Sequence, residues 1–120
     1  ERNTMTNLLQ ETIKDIENSG HKVSDITFIG SLDSGYSCTW SEFLTLADIE
    51  YDAGFGGQEI ASDLTIVFSD GSTMWRAEYD GSEWWEYSKP VEIPENQKQI
   101  LKLNGGFWKN LEELHENSDG

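Results

Sequence analysis

Asp48, Glu50, Asp52 and Glu59 are spaced as oxygen ligands are in a calcium loop: counted from Asp48 they fall at positions 1, 3, 5 and 12, with the apolar Phe55 at position 8. The pattern breaks where the ion demands most. The sharp turn needs glycine at position 6, and Ala53 stands there, with Gly54 one place late. Glutamate fits poorly at position 3, and the segment downstream reads as strand rather than helix. The stretch is therefore read as an acidic strand entering a glycine loop, with no metal and no cofactor.

Other chemistries find less support. His21 follows a helix-ending glycine and His115 lies near the end of the chain, and neither has a nucleophile or an orienting partner close in sequence. Carboxylate pairs at glycosidase separation arise by chance among 23 acidic residues, so they carry no weight. Gly54-Phe-Gly-Gly lacks the lysine of a phosphate loop, and its acidic surroundings repel phosphate. One cysteine and two distant histidines do not make a zinc site. Trp75, Trp84, Trp85 and Tyr87 could stack nucleic-acid bases, but such platforms need cations along the backbone, and Arg76 stands alone among acids. Most of these rings are assigned to the core, with one or two left to anchor a partner. The chain is not read as an enzyme, nor as a direct binder of nucleic acid.

The dominant signal is charge. Between Ser41 and Ser88 lie eleven carboxylates and one cation, Arg76, a net charge of 11 − 1 acidic groups, or −10, out of −15 for all 120 residues. A magnitude of about 2–8 suffices to keep a small domain soluble. Because the acids are threaded through aromatic and β-branched runs, this is a folded acidic surface and not a disordered tail. The length suits a single domain over residues 1–120. Glu1–Thr4, ahead of Met5, are assigned no function, and Asn117–Gly120 read as a frayed end. The lone Cys38 cannot form an intrachain disulfide and points to a reducing compartment. With no long apolar run and no leader-like segment, the expectation is a cytoplasmic protein that does not engage membranes.

The elements that must position these residues can be read from periodicity. Met5, Leu9, Ile13 and Ile16 recur at helical spacing before Gly20. Asp25–Gly30 and Tyr36–Trp40 read as a hairpin, Ser41–Ala47 as either a short helix capped by Ser41 or a continuation of the strand, with the helix preferred, and Ala53–Gly57 as a loop. A three-stranded meander follows. Leu64, Ile66 and Phe68 alternate, then Thr73, Trp75, Ala77 and Tyr79, then Glu83 to Tyr87, with two-residue turns at Asp70-Gly71 and Asp80-Gly81. After Pro90 and Pro94, Ile100, Leu101 and Leu103 suggest a short helix, and Trp108, Leu111 and Leu114 a last one. The fold class predicted is α+β: an antiparallel sheet, made of the N-terminal hairpin and the meander, packed with N- and C-terminal helices.

Alternate residues of a strand lie about 6.6 Å apart on one face, and B-DNA carries a phosphate per ~3.4 Å of each strand. Carboxylates such as Asp48, Glu50 and Asp52, or Glu78 and Asp80, can thus imitate every second phosphate. A rigid face of this kind suits the basic groove of a nucleic-acid-binding protein. The residues assigned to the partner are Asp48, Glu50, Asp52, Glu59, Asp63, Glu78, Asp80, Glu83 and Glu86, with Trp85 as aromatic anchor.

Two phrases carry a resemblance. Glu50-Tyr-Asp-Ala-Gly-Phe-Gly-Gly-Gln-Glu-Ile-Ala-Ser-Asp-Leu and Glu78-Tyr-Asp-Gly-Ser-Glu-Trp-Trp-Glu-Tyr resemble segments of small acidic proteins carried by phages and prophages, among them anti-CRISPR inhibitors. What the resemblance implies is a stoichiometric inhibitor of a nucleic-acid-handling defence complex such as a CRISPR effector, acting in the bacterial host cell. An immunity protein that neutralises a basic nuclease toxin would show the same size, acidity and aromatic content, and stays open as the alternative.

Overall fold

The computed structural model describes residues 5–54, 56–88 and 93–116. Readings that fall on Glu1–Thr4, Phe55, Pro90 and Asn117–Gly120 lie outside them. The chain divides into two compact units, Glu1–Pro90 and Val91–Gly120, where the sequence reads as one domain.

The first unit is α+β. Strand β1 (Met5–Asn7) leads directly into helix α1 (Leu8–Asn18), which is followed by β2 (Ile26–Gly30), helix α2 (Trp40–Leu46), β3 (Glu50–Asp52), β4 (Thr65–Phe68), β5 (Thr73–Tyr79) and β6 (Ser82–Tyr87). Two antiparallel sheets result: a pair β1-β3, and a four-stranded sheet in the order β2-β4-β5-β6. The helix begins later than its apolar spacing suggests. Asn7 has extended backbone and its side chain accepts from Gln10 N–H, so it caps α1 and leaves Met5–Asn7 free to pair with Asp52–Glu50. At the other end Gly20 at φ 86° closes the helix, with His21 N–H bonded to Ile16 O and Gly20 N–H to Glu17 O.

The expected N-terminal hairpin is the main departure. Only β2 forms a strand; Tyr36–Trp40 contributes a single bridge, Gly30 to Ser37, and Trp40 starts α2. The reason lies in the cap. Thr39, not Ser41, accepts from Glu42 N–H while the Glu42 carboxylate accepts from Thr39 N–H at 2.8 Å, a reciprocal box that fixes the helix start before a strand can extend. Gly30 is required at the bridge, since a Cβ there would sit 2.0 Å from Tyr36 O.

The meander is present as read, with one turn altered. Asp80 (φ 54°) and Gly81 (φ 88°) make the two-residue turn between Tyr79 and Ser82. Between β4 and β5 a three-residue loop, Ser69-Asp70-Gly71, lies instead inside the bonded pair Phe68 and Ser72, closed by Gly71 N–H to Phe68 O and Phe68 N–H to Ser72 O, with Gly71 alone at positive φ. Asp70 supplies the extra closure by accepting from Ser72 N–H at 2.9 Å.

The core gathers Leu8 and Ile16 of α1, Ile29, Phe43, Ala47, Tyr51, Ile66, Phe68, Met74 and Trp85, all from this unit. Burying each of the larger of these side chains contributes about 1.5–3 kcal/mol. On β5 the inward positions are Met74 and Arg76, so that Thr73, Trp75, Ala77 and Tyr79 form the outward face.

In the second unit the only helix among the described residues is α3 (Leu111–His115), capped by Asn110, whose side chain accepts from Glu113 N–H. The helix expected around Ile100–Leu103 does not form. That run is irregular and exposed, and Asn104-Gly105-Gly106 ends it before a helical nucleus could repay its cost. His115 holds it instead, as Nε2 accepts from Leu101 N–H at 2.8 Å and Nδ1 donates to Leu111 O.

Candidate functional site: an acidic surface over a buried ion network

Of the ten residues assigned to a partner, Asp48, Glu50, Glu59, Asp63, Glu78, Asp80 and Glu86 are exposed and Asp52 is half-exposed. Glu83 and Trp85 are not available: each is only 3% exposed. The cause is strand phase. Glu83 and Trp85 alternate with Trp84 and Glu86, and the inward pair packs beneath α1, where Trp85 Nε1 donates to Thr12 Oγ1 at 2.8 Å.

Glu83 is buried because Arg76 is buried beside it. Arg76 Nη2 donates to Glu83 Oε1 at 2.9 Å and to Tyr51 Oη at 2.8 Å, and Nη1 reaches Glu11 Oε2 at 3.4 Å. Neither Arg76 nor Glu83 exposes any side-chain surface. The guanidinium also lies 5.1 Å from the Trp85 ring centroid and 5.6 Å from that of Tyr51. Tyr51 in turn donates to Glu11 Oε1 at 2.5 Å. Burial raises the Glu11 carboxyl against the opposing pull of Tyr51 and Arg76, and burial likewise raises the Tyr51 phenol. Burial pulls the Arg76 guanidinium down, but Glu83, Tyr51 and Glu11 outweigh it and keep the charge in place.

Glu83 has a second task. Its Oε2 accepts from Glu59 N–H at 2.6 Å, and its backbone N–H bonds Ala53 O, so it fastens both ends of the glycine loop between β3 and β4. The oxygens of the calcium-like spacing are spent on the same loop and its surroundings. Asn7 Nδ2 donates to both Asp48 Oδ1 (3.0 Å) and Glu50 Oε2 (3.1 Å). Asp52 Oδ1 accepts from Gly54 N–H, and Glu59 Oε2 lies 3.4 Å from Asp52 N. Among the described residues no group of three or more His, Cys, Asp or Glu side chains is placed to hold a metal ion, and no helix is long and apolar enough to cross a membrane.

The consequence for the surface is a separation of sign. From Ser41 to Ser88 ten of the eleven carboxylates are exposed or half-exposed, while the one cation is inside and internally paired. Outward on β5 and β6 stand Trp75, Tyr79, Trp84 and Glu86, with Trp75 directly opposite Glu86 and Ala77 opposite Trp84. This aromatic face, rather than Trp85, is what the sheet displays.

His21 is the residue the sequence undervalued. It is buried, stacked on Phe68 with ring centroids 4.0 Å apart, and held between Ser19 Oγ (3.0 Å from Nδ1) and Asp70 Oδ2 (2.8 Å from Nε2). The order Ser–His–Asp suggests nucleophilic chemistry, but Ser19 donates its own proton to Ile16 O at 2.7 Å and is only 8% exposed, so the trio ties the end of α1 to the β4–β5 turn. The Asp70 carboxyl is held down at about 2, chiefly by Ser72 N–H and then by His21. Its partner lies 49 residues away, which no local pattern signals.

Comparison with family models, with curated proteins and with solved structures found no match.

Proposed function

We propose that the chain is a non-catalytic binding protein whose acidic surface docks on a basic nucleic-acid-binding protein, in the manner of an anti-CRISPR inhibitor that occupies the groove of a defence complex in the host cell. The observation that carries this reading is the burial of Arg76: with the only cation of the stretch neutralised internally by Glu83 and Glu11, the surface field from Ser41 to Ser88 is anionic without interruption. Such a field speeds encounter with a basic groove and excludes phosphate-bearing ligands. Glu50, Asp52, Glu78 and Glu86 are held on strands, which fixes their spacing before contact and lowers the ordering cost of binding.

The test is capture on the immobilised chain from a bacterial lysate, followed by competition. The expected result is a nucleic-acid-handling complex that double-stranded DNA displaces and that Glu78→Lys, Asp80→Lys and Glu86→Lys together no longer capture. A small nuclease captured instead would establish the immunity-protein alternative, and a captured protein indifferent to both DNA and the charge reversals would refute the mimic.

A further inference from the structure

The outward face of β5 and β6 combines two features that an acidic phosphate mimic does not need. Trp75 (38% exposed) and Tyr79 (75% exposed) flank Ala77 along β5, and Trp84 stands across from Ala77, so three aromatic residues share this face. Glu86 is paired directly across from Trp75, which puts a carboxylate beside an indole at a Cβ separation of about 4.5–5.5 Å. Trp84 Nε1 donates to Glu86 Oε2 at 3.1 Å and so fixes where that carboxylate points.

We infer that this face recognises arginine side chains of a protein partner, one guanidinium stacking on an indole while donating to Glu86. The inference rests on the basic-partner reading above and names the cation involved. A guanidinium is planar, weakly hydrated and forked, so it can lie flat on an aromatic ring and still reach a neighbouring carboxylate edge-on; an ammonium is compact and strongly hydrated and gains much less from the rings. The inner face of the same two strands shows the combination at work, since Arg76 lies against the Trp85 and Tyr51 rings with its nitrogens on Glu83 and Glu11. The outer face offers the same groups with the cation still to be supplied. The surrounding carboxylates, Glu78 and Asp80 among them, draw in any basic segment, and the rings then choose between the two kinds of cation.

The test uses the whole chain and two peptides of equal charge, deca-arginine and deca-lysine, titrated calorimetrically at about 150 mM salt. The arginine peptide should bind tighter by on the order of tenfold, and Trp84→Leu should reduce that ratio to near one while changing the lysine affinity by less than about twofold. Trp75→Leu, directly across from Glu86 on the same face, serves as the second variant, with the melting temperature confirming that each is folded. Equal affinity of the two peptides for the wild-type chain would overturn the arginine assignment and leave the basic-partner reading standing. A ratio that survives both tryptophan replacements would also overturn it, and failure to bind either peptide would refute the basic-partner reading itself.

Discussion

Arg76 and Glu83 form a fully buried ion pair, Nη2 to Oε1 at 2.9 Å, across neighbouring strands of the four-stranded sheet. Removing one partner strands the other in a low-dielectric interior. Glu83→Ala would in addition leave Glu59 N–H without its acceptor and free one end of the glycine loop. The expected loss is about 3–5 kcal/mol for Arg76→Met or Glu83→Ala alone, whereas the two substitutions together should lose clearly less than the sum of the singles. Urea denaturation of the two singles and the double measures this, and an additive result would show that the pair does not act as a unit.

Reversing charge on the surface should leave that interior untouched. Glu78→Lys and Asp80→Lys together are expected to slow association with a basic partner several-fold or more at low salt, with dissociation little changed and the difference closing as salt rises. Stopped-flow association at two ionic strengths reads this. Single neutralisations should cost about 0.5 kcal/mol or less each.

The Asp70 carboxyl, lowered to about 2 against an ordinary value of 3.8, contributes stability that is complete above about pH 4 and is lost as the pH falls toward 2. Asp70→Asn removes both the charge and that dependence. The wild-type advantage over the variant, followed by thermal melting from pH 6 downward, should therefore shrink between pH 4 and 2. A gap that stayed constant through that range would show that the carboxylate charge is not what joins α1 to the β4–β5 turn.

Two glycines separate conformational strain from collision. Gly71 has φ 86° and open space where a Cβ would go, so Gly71→Ala should cost about 1 kcal/mol from the backbone alone. Gly30 would place its Cβ 2.0 Å from Tyr36 O and 2.7 Å from Ser37 Cα, both backbone. Gly30→Ala must then break the bridge to Ser37 and should cost more than twice as much, read from the melting temperatures.

Local pattern carried much of the fold. The Asp80-Gly81 turn and the alternating runs of the meander follow from turn chemistry and period-2 patterning, and the helix preferred over Ser41–Ala47 from its apolar spacing. What local pattern could not carry was the phase of β5. Trp75, Ala77 and Tyr79 are the more apolar set, yet the inward set contains Arg76, because Glu83, Glu11 and Tyr51 arrive from β6, α1 and β3 to pair its two terminal nitrogens. A buried charge is legible only when its partners are known, and these lie 7, 65 and 25 residues away. The same limit hid His21 and Asp70. Of the candidate site, the exposed carboxylates were legible from composition, whereas the exchange of Trp85 for Trp84 as the displayed ring turned on one residue of register.

The adjacent indoles of Trp84 and Trp85 stand on opposite sides of β6, one half-exposed beside Glu86 and the other sealed against Arg76 and Thr12. They are consequently optical probes of the two sides of the sheet, carried on consecutive residues of the chain. Caesium ions, drawn to the anionic exterior, should quench the outer indole far more than iodide does, while the inner one ignores both until the domain unfolds. With Trp40, Trp75 and Trp108 replaced by phenylalanine, emission from the pair can thus distinguish a ligand settling on the sheet from a loss of the interior, within a single sample and without any added label.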